Sequence, residues 1–239
     1  MSGRVAEHRV PVATSLQRWD SLAFVHWAYP PDAVARLLPD GLVVDVLDGR
    51  AWVGLTPFVM CDVRPPGLPP LALWSRFVEV NLRTYVRHPA SGTDGIWFFT
   101  LLCPRRAVVA GLRQLGLPYV HAATGSTHER GVGDPMTYRA TSFRGELMDV
   151  RLEVGDVISN PDPWTVAVTG RWNAFARRGP VLSRVPVEHE PWPLREATLT
   201  GVRTNLLHAC GLPAPAGPPH VCWSPGVDVR IGVPRLTVR

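Results

Sequence analysis

The sequence predicts a mostly β, α+β domain: an antiparallel barrel or curled sheet with a few helices packed outside it. Two observations carry this. About eight or more segments alternate or run apolar over strand lengths, and short turns join them with few strand–helix–strand units. The 239-residue chain is also 46% hydrophobic and 19% charged, enough for one sizeable core, and β-rich domains of ~200–250 residues often form a single unit.

The elements follow in order. Residues 1–13 read as a loose arm, which leaves a single domain over 14–236. Leu16–Tyr29 alternates well enough for a strand around Ala23–Trp27. Pro31–Leu38 opens on proline and predicts a short helix. Leu42–Leu47 and Ala51–Val59 flank Asp48-Gly49, a type I′ hairpin signature. Pro65–Pro70 is a rigid loop, and Phe77–Val86 and Gly95–Leu102 are strands. Val108, Val109, Leu112 and Leu115 lie at helical spacing, so Arg105–Leu115 is an amphipathic helix. Tyr138–Phe143, Leu147–Val154, Thr165–Phe175 and Val227–Val233 read as strands, Pro191–Pro193 breaks the chain, and Leu199–Cys210 reads as a helix weakened by Thr and Gly.

Composition excludes several chemistries. Lys plus Arg total 25 and the chain holds 25 arginines, so it contains no lysine. A lysine Schiff base, a lysine general base and a P-loop are therefore ruled out. The net charge of +5 is spread thinly, the densest groups being the pairs Arg105–Arg106 and Arg177–Arg178, which predicts solvated surface and no nucleic-acid partner. The longest charge-free stretches, Ala51–Cys61 and Gly95–Pro104, fall short of the ~20 residues of a membrane span. The opening MSGRVAEHRV has no apolar core, so a cytoplasmic protein is expected. Cys61, Cys103, Cys210 and Cys222 form no CxxC pair and His220/Cys222 is a lone HxC, which predicts reduced thiols and no metal site. No cofactor motif is present: Gly131-Val132-Gly133 has no helix after it to cradle a phosphate, and Ser126, Ser142 and Ser224 lack a nucleophile-elbow context.

The chemistry is concentrated in Phe77–Val86. Alternation puts Glu79, Asn81, Arg83 and Tyr85 on one face and Val78, Val80, Leu82, Thr84 and Val86 on the other. The apolar face requires burial. The polar face has three readings: solvated surface, the lining of a polar cavity inside a barrel, or a buried Glu79–Arg83 ion pair without a ligand. His26, between apolar neighbours, reads as a structural histidine.

A set of ordered motifs resembles the YqjF-like family of uncharacterised bacterial proteins, within the acetoacetate decarboxylase-like superfamily. The pieces are His26-Trp27, Leu38-Pro39, Asp45 with Asp48-Gly49, Ala51-Trp52-Val53-Gly54-Leu55, and Glu79-x-Asn81-x-Arg83-Thr84-Tyr85-Val86. Gly95-Ile96-Trp97-Phe98-Phe99, Leu117-Pro118-Tyr119, Gly170-Arg171-Trp172 and His189-x-Pro191-Trp192 continue the series. The resemblance implies a cone-shaped antiparallel β-barrel with flanking helices and an internal pocket. It also implies that Glu79 stands where the decarboxylases place a cavity glutamate, and that Tyr119 and Val120 stand where they carry two adjacent lysines. A phenol forms no imine, so the resemblance does not carry their reaction over.

These residues lead to an expected site. Glu79 and Tyr119 are the catalytic candidates, one as acid or base and the other as donor to a carbonyl or enolate oxygen. Asn81, Arg83, Tyr85, His121 and Arg171 are the ligand-binding candidates, with Arg83 as anion anchor. Burial would raise the Glu79 pKa and a nearby Arg83 would lower it. The expected function is a small-molecule protein, either a non-Schiff-base enzyme acting on an oxo acid or similar anionic compound, or a binding protein for a hydrophobic or anionic ligand. A side-chain-filled structural barrel stays open, as does a homo-oligomer.

Overall fold

The computed structural model describes residues 4–70, 75–128 and 135–237. The Gly131-Val132-Gly133 loop signal lies outside the described residues. In chain order the elements are β1 (Ala13–Tyr29), α1 (Pro31–Ala35), β2 (Val43–Val44), β3 (Ala51–Arg64), β4 (Phe77–His88) and β5 (Thr93–Cys103). There follow α2 (Arg106–Gln114), β6 (Tyr119–His128), β7 (Pro135–Ser142), β8 (Leu147–Val157), α3 (Pro163–Thr169) and β9 (Asn173–Arg178). The last are β10 (Val181–His189), β11 (Arg195–Thr204), α4 (Leu206–Ala209), β12 (His220–Gly232) and β13 (Arg235–Leu236).

All thirteen strands join one sheet, and that sheet closes on itself. One ring runs β1–β3–β4–β5–β6–β7–β8–β11–β12 and returns to β1. A second path leaves β5 through β9 and β10 and rejoins at β12. The sheet therefore forks at two strands. On β5, Ile96 and Trp97 pair with β9, whereas Leu101–Cys103 pair with β6. On β12, Cys222 and Trp223 pair with β11, whereas Val229–Ile231 pair with β10. Both strands that join β5 at its fork run parallel to it, an exception to the expected all-antiparallel pairing.

Closure explains why β4 is buried on both faces. Val78, Val80 and Leu82 enter the main apolar cluster with Val53, Leu55, Tyr138 and Leu152. On the opposite face Phe77 packs with Phe24, Phe58, Leu101 and Tyr119, and Tyr85 packs with Trp52, Ile96 and Val168. The polar residues Glu79, Asn81 and Arg83 sit between these groups, so the solvated-surface reading of that face is excluded.

The strands β6 and β10 were not expected, and three expected segments take another form. Asp48 and Gly49 do take positive φ, at 52° and 72°, as a type I′ turn requires, and Leu47 and Arg50 exchange backbone hydrogen bonds across it. The hairpin stops there, however: Val43 and Val44 pair with Arg87 and Val86 of β4 instead of with β3. Thr165–Phe175 is not one strand. The Asp162 side chain accepts a hydrogen bond from the Thr165 N–H and Pro163 opens the turn, so Pro163–Thr169 is a capped helix and the strand begins at Asn173. Leu199–Cys210 is strand first and helix last. Ala197, Leu199 and Gly201 face inward and Thr198, Thr200 and Val202 face outward on β11, and only Leu206–Ala209 is helical. At the N-terminal side, Val10 is buried, with its N–H 2.6 Å from Glu188 Oε2 and its carbonyl accepting from Arg230.

Candidate functional site

The site is built on β4 and on two elements that meet it. Gly116 has φ of 84°, and a Cβ there would lie 2.4 Å from the Arg177 carbonyl oxygen, so only glycine lets the turn before β6 close against β9. That turn delivers Tyr119 opposite Leu101 in parallel register. Its hydroxyl donates to Glu79, 3.1 Å from Oε2 and 3.2 Å from Oε1. Glu79 is 3% exposed and Tyr119 7%. Burial pushes the Glu79 pKa up to about 8, against a smaller lowering by the Tyr119 hydrogen bond. Burial and the neighbouring Glu79 carboxyl raise the Tyr119 phenol well above its ordinary value. Cys103, fully buried beside them, is pushed up to about 12, chiefly by burial and then by Glu79, and is a neutral thiol.

Arg83 lies four residues along the strand, about 13 Å from Glu79 at ~3.3 Å per residue. No ion pair joins the two, and no carboxylate lies within ion-pair distance of Arg83 among the described residues. The structural Glu79–Arg83 pair is thus excluded, and desolvation alone decides the direction of the Glu79 shift. Arg83 is 5% exposed, its guanidinium carbon lies 5.6 Å from the Phe24 ring centre and 5.8 Å from that of Tyr85, and its Nε–H has no partner. Between Glu79 and Arg83, the buried Asn81 Oδ1 also lacks a partner. Buried guanidinium donors are almost always paired, so two such unmatched groups on one strand face are unusual in a protein interior.

Tyr85 completes the Arg83 end. Its hydroxyl lies 2.5 Å from His26 Nε2, and Arg83 also hydrogen-bonds its side chain. Arginine can only donate to the phenol oxygen, and which of Tyr85 and His26 donates to the other is set by the imidazole tautomer. Burial first, then Arg83 and His220, hold His26 well below its ordinary pKa, and it is neutral. A Cβ on Gly54 would sit 2.9 Å from His26 Nε2 and 3.3 Å from the Tyr85 hydroxyl, so glycine at this position leaves the pair its space.

The other candidates separate from this track. Arg171 lies under the Tyr85 ring at 5.0 Å, but its Nη1 pairs with Asp45 Oδ2 at 2.6 Å and Asp94 Oδ2 at 3.3 Å, and its Nε donates to the Ala167 carbonyl. It closes a buried ion-pair network and is not placed as a free ligand-binding cation. His121 is half-buried and lines a cavity of about 530 Å³ that Tyr119 also lines and Glu79 does not. His189 is the residue that sequence reasoning passed over. It is packed between Trp172 and Trp192, hydrogen-bonds the Glu190 carbonyl, and burial pulls its pKa down to about 4. Only its place in the family motif could have signalled it.

The buried acid has a measurable consequence. Folded Glu79 keeps its proton to about pH 8, whereas the unfolded carboxyl titrates near 4.5. Between those values the folded state binds the extra proton, so stability falls as pH rises. His189 acts oppositely, folded at about 4 against 6.5 unfolded, and so does His26, which is held well below its ordinary value; their contribution is still rising at pH 6.5. The difference between wild type and Glu79→Gln therefore isolates Glu79, and from pH 6.5 to 8 the wild type should lose up to about 2 kcal/mol relative to that variant. The melting temperature of the wild type should fall over this window relative to that of Glu79→Gln. A wild-type melt that tracks the variant across the window would contradict the buried neutral acid.

With this geometry in hand, the comparisons with known proteins are specific. Residues 16–228 match the profile of DUF2071, described as an uncharacterized conserved protein. The chain belongs to the DUF2071 family. The Bacillus subtilis (strain 168) protein YqjF, itself uncharacterized, is 27% identical over 221 residues, covering 89% of this chain and 88% of that one. An acetoacetate decarboxylase-like enzyme from Sphingomonas wittichii RW1 matches with a TM-score of 0.66 at 15% identity, over 97% of this chain and 98% of that one. The enduracididine biosynthesis enzyme MppR, solved in complex with pyruvate, matches with a TM-score of 0.64 at 14% identity, over 96% and 93%. At these identities the solved structures establish for this DUF2071 chain an acetoacetate decarboxylase-like fold. Among its described residues no helix is long and apolar enough to cross a membrane, and the four cysteines are free.

Proposed function

We propose that this protein acts on a small carbonyl-bearing anion, with Glu79 and Tyr119 moving a proton and Arg83 and Asn81 holding the polar end of the ligand. The observation that carries this is the combination on one buried strand face of an acid raised to about 8 and, beyond it, a guanidinium and an amide with unmatched hydrogen-bonding groups. A group poised near neutrality is suited to general acid–base chemistry.

The reaction class is enolisation without a covalent intermediate. Ionised Glu79 takes a proton from the carbon next to the carbonyl. The C–H electron pair becomes the carbon–carbon double bond, and the carbonyl pair moves to oxygen. Glu79, now protonated, can donate to the Tyr119 oxygen, which frees the phenol proton for the enolate oxygen. Return of a solvent-derived proton to carbon restores the ketone. The fold's pyruvate-binding neighbour MppR supports the ligand class, and the absence of lysine sets the chemistry apart from imine formation.

Two experiments test this reading. Wild-type protein in deuterated buffer should exchange the C3 protons of 2-oxo acids, followed by NMR, and Glu79→Gln should lose that exchange by about 100-fold or more. Binding of the same acids with no exchange in the wild type would reduce the protein to a binding module, the second reading that the buried, unmatched polar groups of Asn81 and Arg83 allow. Separately, incubation with pyruvate and borohydride should leave the protein mass unchanged. A reduced adduct anywhere but the α-amino group of Met1 would overturn the non-imine mechanism.

A further inference from the structure

The geometry points to the cleft at the fork of β5 as the site that selects the ligand: an oxo acid bearing an aromatic group, whose ring lies in the cleft and whose carbonyl meets Tyr119. This rests on the reading of Glu79 and Tyr119 as the proton-moving pair and adds the substrate class.

The cleft follows from the topology. β5 pairs with β9 through Ile96 and Trp97 and with β6 only from Leu101 onward. Phe98, Phe99 and Thr100 lie between the two pairings, and the space opened there, lined by those residues and by Pro118–His121, measures about 530 Å³. Divergence of neighbouring strands is a recurrent origin of ligand clefts. The volume falls within the ~300–1,000 Å³ of sites for drug-sized ligands, well above the need of a three-carbon acid.

The walls suit an arene. Phe98, Val109, Phe143 and Leu206 supply apolar surface from four different parts of the chain. Phe143 is 81% exposed, the only aromatic ring among the exposed large hydrophobic side chains of the described residues, and the Arg144 guanidinium carbon lies 5.5 Å from its ring centre. Arg113 from α2 and Arg144 from the β7–β8 turn outnumber the one carboxylate on the lining, Glu146, which leaves a net positive charge that favours entry of an anion. Tyr119 is the connecting residue: it lines the cleft, and its hydroxyl bonds Glu79 within. The cleft and the buried acid therefore adjoin at this one phenol.

Calorimetric titration with pyruvate and phenylpyruvate tests this, using wild type, Ala209→Trp and Phe143→Ala. Ala209 is exposed on α4 and lines the cleft, so a tryptophan there occupies the space without entering the core. Phenylpyruvate should bind the wild type at least about tenfold more tightly than pyruvate. Ala209→Trp should weaken phenylpyruvate about tenfold or more and change pyruvate by less than about twofold, and Phe143→Ala should weaken phenylpyruvate alone. If phenylpyruvate binds and neither variant changes its affinity, the cleft is not the site, while the Glu79–Tyr119 reading stands. If neither acid binds the wild type, both fall. A melting temperature for Ala209→Trp matching that of the wild type confirms that the comparison is made on folded protein, and Phe143→Ala, at an exposed position, decides the matter if it does not.

Discussion

Replacing Arg171 by methionine is expected to lower the melting temperature by about 10 °C, the largest stability effect of any single change in the buried polar set. The side chain of Arg171 is 1% exposed, and its two partners Asp45 and Asp94 are 8% and 5% exposed. Removing the cation that two buried carboxylates share typically costs ~3–5 kcal/mol. Asp45 keeps its contact with Arg87 at 3.1 Å, which limits the damage on that side. Asp94 and the Ala167 carbonyl lose Arg171 outright. The network ties β9's approach, the β2 region and β5 together across more than a hundred residues, since Arg171 and Asp45 are 126 positions apart. Arg171→Lys keeps a charge but not the fork that serves two acids and a carbonyl at once, so it should fall between the wild type and methionine. Thermal melts at pH 7 check this, and an Arg171→Met protein as stable as the wild type would show that the network is dispensable.

Arg83→Met is expected to behave in the opposite way: binding of anionic oxo acids lost by about 100-fold, with the melting temperature unchanged or higher. Arg83 has no carboxylate partner, so its removal strands no opposite charge. A buried, incompletely bonded guanidinium is itself costly, and methionine fills much of the same volume between Phe24 and Tyr85. Loss of a desolvated charge-assisted contact to a ligand typically weakens binding by ~2–5 kcal/mol, and about 2.7 kcal/mol corresponds to the 100-fold figure. Calorimetry and a melt on the same preparation give both quantities. A large fall in melting temperature with binding intact would turn Arg83 into a structural residue. The contrast between the two arginines is informative because both lie against the Tyr85 ring, at 5.8 Å and 5.0 Å, and only one has its charge matched.

Much of this was legible in the chain before folding, and the exceptions have physical causes. Phe77–Val86 could be read as a two-faced strand because its two faces differ in chemistry, and its burial on both sides rules out the solvated-surface reading. Asp48-Gly49 announced its turn through the positive φ those residues tolerate, but which strand accepts Val43 and Val44 is set by non-local pairing with β4. The alternating Thr and Val of Thr165–Val168 imitate a strand, and the Asp162-Pro163 cap outweighed them. β6 was hidden in Ala122-Ala123-Thr124-Gly125-Ser126, a run of weak strand formers held by neighbours on both sides. At the site, Glu79 and Tyr119 were identifiable as types and positions. Their hydrogen bond depends on the parallel register of β5 and β6, which no local pattern encodes. For the same reason the engagement of Arg171 with Asp45 and Asp94, and the lack of any such partner for Arg83, emerged only with the fold.

The central claim is that a neutral buried carboxyl becomes the base when it ionises, and the pH dependence of oxo-acid proton exchange tests it most directly. Measured by NMR in deuterated buffer on the wild-type protein, the exchange rate at saturating ligand should climb about tenfold per pH unit below neutrality and level off near pH 8, following Glu79 ionisation. A rate that is independent of pH from 6 to 9, or one that survives in Glu79→Gln with an unchanged profile, would contradict it.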